Sequence, residues 1–268
     1  TGFSAVALGY YAGASNYNAS ALGSNSYASG QGATAVGALS QATGDLSLAA
    51  GYSAIASGAN STAVGNTSAA YGAYSTAVGS NAVAAGSNAS AFGTGAYAQG
   101  NNSIAAGYNS VASGYSSSAF GDNAQATGDD STALGQDSVA SGYRSTASGF
   151  NAQATGDYGT ASGVNTYASV FDSTAVGYAA RSTGERSIAA GSNAYAGASY
   201  ASAFGNDATA GGESSVAVGD HSHAYGAGDV AIGRNAVANG SSKYGYSGSA
   251  TAVGNNASAT NKYATALG

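Results

Sequence analysis

Glycine recurs along this chain at every fourteenth position. Counting from Gly9, seventeen successive positions on this interval are all glycine. A second series, offset by seven and counted from Gly2, is glycine except at Asn16, Val170 and Ala198. Because only 43 of the 268 residues are glycine, chance does not produce these series. The chain is therefore a repeat array in which two seven-residue halves alternate: half A ends at the Gly9 series and half B at the Gly2 series.

The residues between the glycines alternate with the period of a β-strand. Alanine stands two residues before each half-A glycine, and a small residue, mostly Ser or Ala, stands four before it. Side chains two apart share one face of a strand. Asparagine often follows the half-A glycine by two residues, and both residue types suit a corner. These asparagines are Asn81, Asn109, Asn123, Asn151, Asn165, Asn193 and Asn235. Each half is predicted to be a strand of about four residues and a turn, which gives an all-β parallel roll, or solenoid, of 14-residue coils stacked ~4.8 Å apart.

The repeat predicts a single domain over residues 1–268, built of about 19 coils. The register slips once, because the half-A glycine after Gly240 is Gly254, seven residues late. Residues 241–247 are therefore interpreted as an insertion or a widened turn. The chain begins and ends on the repeat grid, so we expect a piece of a longer array whose targeting and anchoring segments lie outside it.

The composition argues against several classes of function. Charged residues make up 7% of the chain, against roughly 25% in typical soluble domains. With six Lys and Arg and a net charge of −6, the chain cannot form the basic face that nucleic acid or an anionic membrane requires. It has no cysteine, so no disulfide or thiolate metal site is predicted. The catalytic motifs G-x-S-x-G and H-E-x-x-H and a phosphate loop are missing from the sequence, so neither an enzyme nor a cofactor is predicted.

The two halves differ on the face that points away from the alanines. Half B carries mostly polar residues there, such as Gln125, Thr127 and Arg181, and is predicted to face water. Half A carries a row of apolar residues, here called the half-A row: Val36, Val64, Val78, Phe92, Ile104, Phe120, Leu134, Val176, Ile188, Phe204, Val218 and Ile232. An apolar row of this length exceeds what a monomer leaves in water. It predicts self-association, although the periodicity does not give the number of chains.

The repeat resembles the head of the YadA-like trimeric autotransporter adhesins. The resemblance is carried by S-V-A-V-G at residues 215–219, D-V-A-I-G at 229–233 and three S-T-A-V-G copies, and it covers essentially the whole chain. It implies a left-handed roll, a homotrimer with the half-A row as the trimer interface, and a place at the outer-membrane surface of a Gram-negative bacterium. The partners implied are an extracellular matrix protein, a host cell or a solid surface, with autoagglutination and biofilm formation. The resemblance implies membrane contact only through a C-terminal anchor outside this chain, and it transfers no ligand-binding residue.

Acidic residues recur at one half-B corner of every second coil. Asp129, Asp157, Glu185 and Glu213 follow one another at this double-coil spacing, and Tyr143 stands at an intervening corner. These five residues form a candidate ligand edge for a basic or repetitive partner. The interpretation we favour is simpler: the charges are spaced so that like charges do not stack on adjacent strands.

Two smaller groups are weaker candidates. His221 and His223 resemble a metal pair, but one falls on a corner and the other on a half-B strand, so no metal site is predicted. Tyr97, Tyr167 and Tyr195 fall on half-B strands, where they could be contact residues or could simply suit a strand surface.

Three alternatives to adhesion remain open. The uniform repeat also fits a rigid spacer rod that displays a binding domain elsewhere. Threonines at 62, 76, 132, 146, 160 and 174 are compatible with an ice-binding solenoid, but they lie on half A and form no continuous T-x-T row. Disordered low complexity is opposed by the strict positions of Ala and Gly.

Overall fold

A computed structural model describes residues 2–240 and 248–268 of the chain. The predicted insertion at residues 241–247 lies outside the described residues. Contacts divide the chain into two compact units, Thr1–Asp137 and Ser138–Gly268. Each unit is built in the same way and is described by itself.

The first unit contains nineteen short strands. Its half-A strands are β1 (Val6–Leu8), β3 (Ser20–Leu22), β5 (Thr34–Val36), β7 (Leu48–Ala50), β9 (Thr62–Val64), β11 (Thr76–Val78), β13 (Ser90–Phe92), β15 (Ile104–Ala106), β17 (Ser118–Phe120) and β19 (Thr132–Leu134). Its half-B strands are β2 (Gly13–Ala14), β4 (Tyr27–Ala28), β6 (Gln41–Ala42), β8 (Ile55–Ala56), β10 (Ala69–Ala70), β12 (Val83–Ala84), β14 (Tyr97–Ala98), β16 (Val111–Ala112) and β18 (Gln125–Ala126). Each strand pairs in parallel with the strand of the same half in the next coil, so that Ala63 faces Ala77 and Ala56 faces Ala70.

The second unit continues the same alternation. Its half-B strands are β20 (Val139–Ala140), β22 (Gln153–Ala154), β24 (Tyr167–Ala168), β26 (Arg181–Ser182), β28 (Tyr195–Ala196), β30 (Thr209–Ala210), β32 (His223–Ala224), β34 (Val237–Ala238) and β36 (Ser258–Ala259). Its half-A strands are β21 (Thr146–Ser148), β23 (Thr160–Ser162), β25 (Thr174–Val176), β27 (Ile188–Ala190), β29 (Ser202–Phe204), β31 (Val216–Val218), β33 (Val230–Ile232), β35 (Thr251–Val253) and β37 (Thr265–Leu267). The predicted parallel β-solenoid of ~14-residue coils is confirmed, with about 18 coils where the repeat predicted about 19. The strands are shorter than the four residues expected, because the turns take up the glycine and serine positions.

The core of each unit is made mainly of alanine and serine, and its apolar part is alanine alone. Ala35, Ala63 and Ala77 of half A and Ala56 and Ala84 of half B are completely buried. The largest fully buried side chains are those of threonine, aspartate and serine. The two strands of a coil therefore lie too close together for leucine or phenylalanine, and the larger apolar residues are left on the outside.

The described corners are four-residue turns, and most of them begin at a grid glycine. In the turn Gly114–Ser117, the Ser117 N–H donates to the Gly114 carbonyl over 3.3 Å, and the Ser117 hydroxyl donates to the same oxygen over 2.8 Å. The third residue, Ser116, has φ 52° and is left-handed, as in turns of type II. The prediction that Asn suits this position is confirmed, for example at Asn81 with φ 56°. The same position also accepts larger side chains, such as Tyr74 with φ 58°.

The two glycine series are required for different reasons. At the half-A corner Gly121 has φ 135°, a conformation essentially restricted to glycine, and an added Cβ would lie 2.6 Å from the Gly135 carbonyl oxygen. At the half-B corner Gly114 is crowded in the same way by the Gly128 carbonyl oxygen, but its φ lies outside the left-handed range. Crowding is relieved where the backbone shifts to make room for a side chain, whereas a φ that only glycine adopts stays unfavourable after such a shift. This difference explains why the replaced grid glycines, at Asn16, Val170, Ala198 and Asn261, all fall in half B.

A buried aspartate lies where the stacking step changes. Val230 pairs with Thr251, so the step along the chain is longer here than between the other coils. Immediately before Val230, Asp229 occupies the core position normally held by serine and is completely buried. Its carboxylate accepts N–H groups from Gly226 over 2.6 Å, Gly240 over 2.9 Å and Ala250 over 2.7 Å. The extra chain length lies between Gly240 and Ala250, and the Asp229 carboxylate holds the N–H groups of both residues.

Candidate functional site

The half-A row lies on the outside of the first unit, as predicted. Phe92 is 44% exposed and Phe120 is 40% exposed, although both are large apolar side chains. The row follows the strand register, since Val78 pairs with Phe92 and Phe120 pairs with Leu134. Val36 is exposed to a similar extent, whereas Val64 and Ile104 are half-buried. The first unit therefore presents an apolar column along its half-A strands.

The second unit carries the same column from β25 onward, whereas its first two half-A strands, β21 and β23, end in serine. Val176, Ile188, Phe204 and Ile232 are exposed, and Val218 is half-buried. Phe204 pairs with Val218, which in turn pairs with Ile232, so these side chains form one line. The placement of the row on the surface agrees with the sequence analysis. Its burial in a trimer stays a prediction.

Two members of the candidate ligand edge are engaged with the backbone. In the first unit, Asp129 Oδ1 accepts the Tyr115 N–H over 2.8 Å. In the second unit, Asp157 Oδ1 accepts the Tyr143 N–H over 2.9 Å. Both bonds join a corner to the corner one coil earlier. These carboxylates therefore satisfy backbone donors that the turn leaves open, which is a structural role that the sequence analysis did not foresee.

The other two acids of the edge lie in the second unit. Glu185 forms an ion pair with Arg186 over 3.4 Å, and both side chains are about half exposed. Glu213 is exposed at its corner. The acids of the edge therefore differ in role. Asp129 and Asp157 bond to the backbone of a neighbouring corner, whereas the side chains of Glu185 and Glu213 face solvent. A ligand-binding role for Asp129, Tyr143, Asp157, Glu185 and Glu213 stays a prediction.

A second column of side chains lies at the half-B corners, and the sequence analysis singled out only one of its members, Tyr143. In the second unit, six residues form a continuous series of ring and guanidinium contacts, here called the aromatic ladder: Tyr143, Arg144, Tyr158, Phe171, Arg186 and Tyr200. Four of these residues stand two positions after a half-B glycine or its replacement Ala198, one residue beyond the position of the acids: Arg144, Tyr158, Arg186 and Tyr200. Comparing that position from coil to coil would have revealed them.

The contacts of the aromatic ladder span five corners. The ring of Tyr158 meets Tyr143 edge-on at 5.4 Å between centroids and Phe171 at 5.6 Å. Arg186 lies over Phe171 at 5.4 Å and donates from Nη1 to the Tyr200 hydroxyl over 2.9 Å. Arg144 lies over Tyr143 at 4.8 Å. Each coil therefore contributes a ring or a cation to a surface that follows the stacking direction.

The two histidines do not converge. His221 stands at a left-handed corner, with Nδ1 3.0 Å from Asp220 and Nε2 3.5 Å from Asp207. A hydrogen bond from Asn206, followed by one from His221, lowers the pKa of Asp220. His223 lies on β32, stacks on a tyrosine ring, and has its pKa lowered by burial. Within residues 2–240 and 248–268, no group of three His, Cys, Asp or Glu side chains could hold a metal ion.

The half-B tyrosines are less exposed than expected. Tyr97 and Tyr167 are half-buried, and Tyr195 is 38% exposed. These three tyrosines therefore expose a smaller fraction of their surface than Phe92 and Phe120 of the half-A row do. Across the described part of the chain, no helix is long and apolar enough to cross a membrane.

Comparison with known proteins decides the family. The YadA head domain repeat matches the chain at residues 1–26, 28–54, 42–68, 56–82, 84–110, 112–138, 140–166, 171–194, 196–222, 224–242 and 248–268. The chain belongs to the YadA head domain family. YadA head domains are parts of adhesins, and the family is not one of enzymes. The family resemblance found in the sequence is thereby confirmed, and an adhesin-type function follows from it.

One solved structure similar to this YadA-type head is the collagen-binding domain of the Yersinia adhesin YadA. It is 24% identical, with 63% of this chain and 68% of that chain covered and a TM-score of 0.27. No curated protein matches the chain.

Proposed function

We propose that this chain is the head region of an adhesin at the outer-membrane surface of a Gram-negative bacterium. In this proposal it acts as a homotrimer that attaches to an extracellular matrix protein, a host cell or a solid surface and promotes autoagglutination and biofilm formation. Membership of the YadA head domain family supports the adhesin role. The observation that carries the rest is the half-A row, a column of apolar side chains that each unit leaves on its surface.

The half-A row supports self-association for a physical reason. Apolar surface costs about 25 cal/mol for each Å² kept in water, and the row repeats along the half-A strands of each unit. A homotrimer with the row at its threefold axis removes this surface from water in all three chains at once. Threefold symmetry closes the ring of contacts and places each coil level with the equivalent coils of the other two copies. Matrix binding is then multivalent, because three heads engage a surface together.

Collagen is the matrix protein to test first, since the Yersinia structure is named as a collagen-binding domain. The alternative of a spacer rod receives no specific support beyond the uniformity of the repeat. An ice-binding surface is disfavoured, because the candidate threonines share the half-A face with the apolar row. Thr62 and Val64, for example, lie on the same side of strand β9.

Adhesion and assembly can be tested with one pair of variants. Phe92→Asp with Phe120→Asp places two charges in the half-A row, whereas Gln125→Asp places a charge on the exposed half-B face as a control. We expect the row variant to lose self-association and to bind collagen-coated and bare polystyrene at least tenfold more weakly, through loss of multivalency. The control should behave like the unmodified protein. Failure of the unmodified protein to bind collagen, cell layers or polystyrene would contradict the adhesion proposal and favour the spacer rod.

A further inference from the structure

The aromatic ladder has the composition of a binding surface and exceeds what its corners require. The equivalent left-handed positions of the first unit hold Tyr74, Asn88 and Asn102 in successive coils, and these turns form with the same φ. A corner therefore needs neither a ring nor a guanidinium at this position. In the second unit, by contrast, rings and guanidinium groups contact one another from Tyr143 to Tyr200.

The ladder remains accessible although its members touch each other. Tyr143 is 36% exposed, Phe171 41% and Tyr200 49%. The contacts between neighbouring rings are edge-on, at 88° between Tyr143 and Tyr158 and 75° between Tyr158 and Phe171. Such contacts restrict the side chains and lower the entropy that a ligand would otherwise lose in ordering them. The surface is thus both exposed and pre-arranged.

The charges on and beside the ladder nearly cancel. Arg144 and Arg186 contribute two positive charges, and Glu185 and Asp172, which both attract Arg186, contribute two negative ones. A third carboxylate, Asp157, accepts the Tyr143 N–H and adds one further negative charge. The net charge of the whole chain is −6, so a polyanion would be repelled. A polycation would meet two guanidinium groups. Charge complementarity therefore favours an uncharged ligand that can use both donors and acceptors.

We infer that the aromatic ladder binds an uncharged linear oligosaccharide that runs along the stacked coils. The apolar C–H face of a pyranose ring suits the exposed aromatic rings, and its hydroxyl groups can pair with the guanidinium, carboxylate and phenol groups between them. Stacked strands lie ~4.8 Å apart, which is close to the length of one pyranose unit, so successive sugars meet successive coils. The inference deepens the proposed function and rests on it, since it names the chemistry that an adhesin head would recognise.

Direct binding measurements test the inference. The probes are a linear neutral β-1,4-linked hexasaccharide of N-acetylglucosamine, one of glucose, an array of other neutral oligosaccharides, and a sulfated hexasaccharide. We expect at least one neutral oligosaccharide to bind the unmodified chain in calorimetry and the sulfated one not to bind. Tyr158→Ala with Phe171→Ala should weaken this binding at least tenfold, because the middle of the ladder is removed. Tyr74→Ala, a tyrosine at the equivalent corner of the first unit, should leave it unchanged.

Two further measurements separate a folding defect from a binding defect. Thermal unfolding monitored by circular dichroism reports whether the double variant retains the fold, and Tyr158→Phe with Phe171→Tyr, which keeps both rings, should restore binding. The inference is overturned if no neutral oligosaccharide on the array binds, if the sulfated probe binds more tightly, or if the folded double variant binds as well as the unmodified chain. A trimer that adheres to collagen while failing these tests would leave the proposed function intact.

Discussion

At the scale of single residues, glycine and alanine determine this fold because glycine has no side chain and alanine has only a methyl group. Buried Ala63 and Ala77 allow the two strands of a coil to approach closely, and no larger apolar side chain fits between them. The half-A glycines have a left-handed φ and are also crowded by a carbonyl oxygen of the next coil. The half-B glycines are crowded by such an oxygen but do not have a left-handed φ. The sequence records this difference, since Asn16, Val170 and Ala198 all replace half-B glycines.

Alanine substitution at two neighbouring corners tests this explanation. Gly121→Ala and Gly114→Ala each place a Cβ against a carbonyl oxygen of the next coil, but Gly121→Ala also forces alanine into φ 135°. We expect both variants to be destabilised and Gly121→Ala to lose about 1–3 kcal/mol more, the cost of a residue held in a glycine-only conformation. Urea unfolding of the two variants gives the comparison. Equal losses would mean that crowding alone selects the glycines.

At the scale of structural elements, the described strands are short and gain their stability from stacking. Half-A strands have three residues and half-B strands two, so each coil depends on the hydrogen bonds of its neighbours. Side chains complete this bonding where the turns leave donors open, as Asp129 does for Tyr115. Asp229 does so for three N–H groups at the point where the stacking step lengthens.

Removal of the Asp229 carboxylate should destabilise the second unit. Asp229→Ala leaves three buried N–H groups without an acceptor, and we expect a loss of about 3 kcal/mol or more. Asp229→Asn keeps one acceptor oxygen, so its stability should lie between that of Asp229→Ala and that of the unmodified chain. Ser215→Ala is the control, because Ser215 holds the same core position one coil earlier and its buried hydroxyl has no hydrogen-bond partner.

Denaturation midpoints and hydrogen exchange measure this effect. Exchange of the Gly240 and Ala250 amides should accelerate in Asp229→Ala and not in Ser215→Ala, since only the first change removes their acceptor. Similar unfolding curves for Asp229→Ala and Ser215→Ala would show that the aspartate does not hold the two coils together.

Some features of these elements could be predicted from the sequence alone, and others could not. The period, the alanine core, the outward half-A row and the left-handed asparagines such as Asn81 follow from local spacing and were predicted correctly. The role of Asp229 could not be predicted, because it depends on which backbone donors the change of register brings to one point. The aromatic ladder depends on contacts between side chains of neighbouring coils, such as Tyr158 with Phe171 at 5.6 Å, whose directions the spacing does not give.

At the scale of the whole molecule, the repeat implies an assembly larger than one chain. The core of each unit is thin and made mainly of alanine and serine, so the large apolar residues are available for contacts between chains. We propose that the half-A row makes these contacts and that the half-B corners of the second unit form a separate surface for a ligand. The two proposals involve different residues, and variants such as Phe92→Asp and Tyr158→Ala can therefore separate them.

Sedimentation equilibrium of the purified chain tests the central claim most directly. With the half-A row at a threefold axis, the measured mass should be about three times the 25.3 kDa of one chain and should fall to one chain in the Phe92→Asp, Phe120→Asp variant. A mass of 25.3 kDa at every concentration, with the row variant behaving identically, would contradict the account.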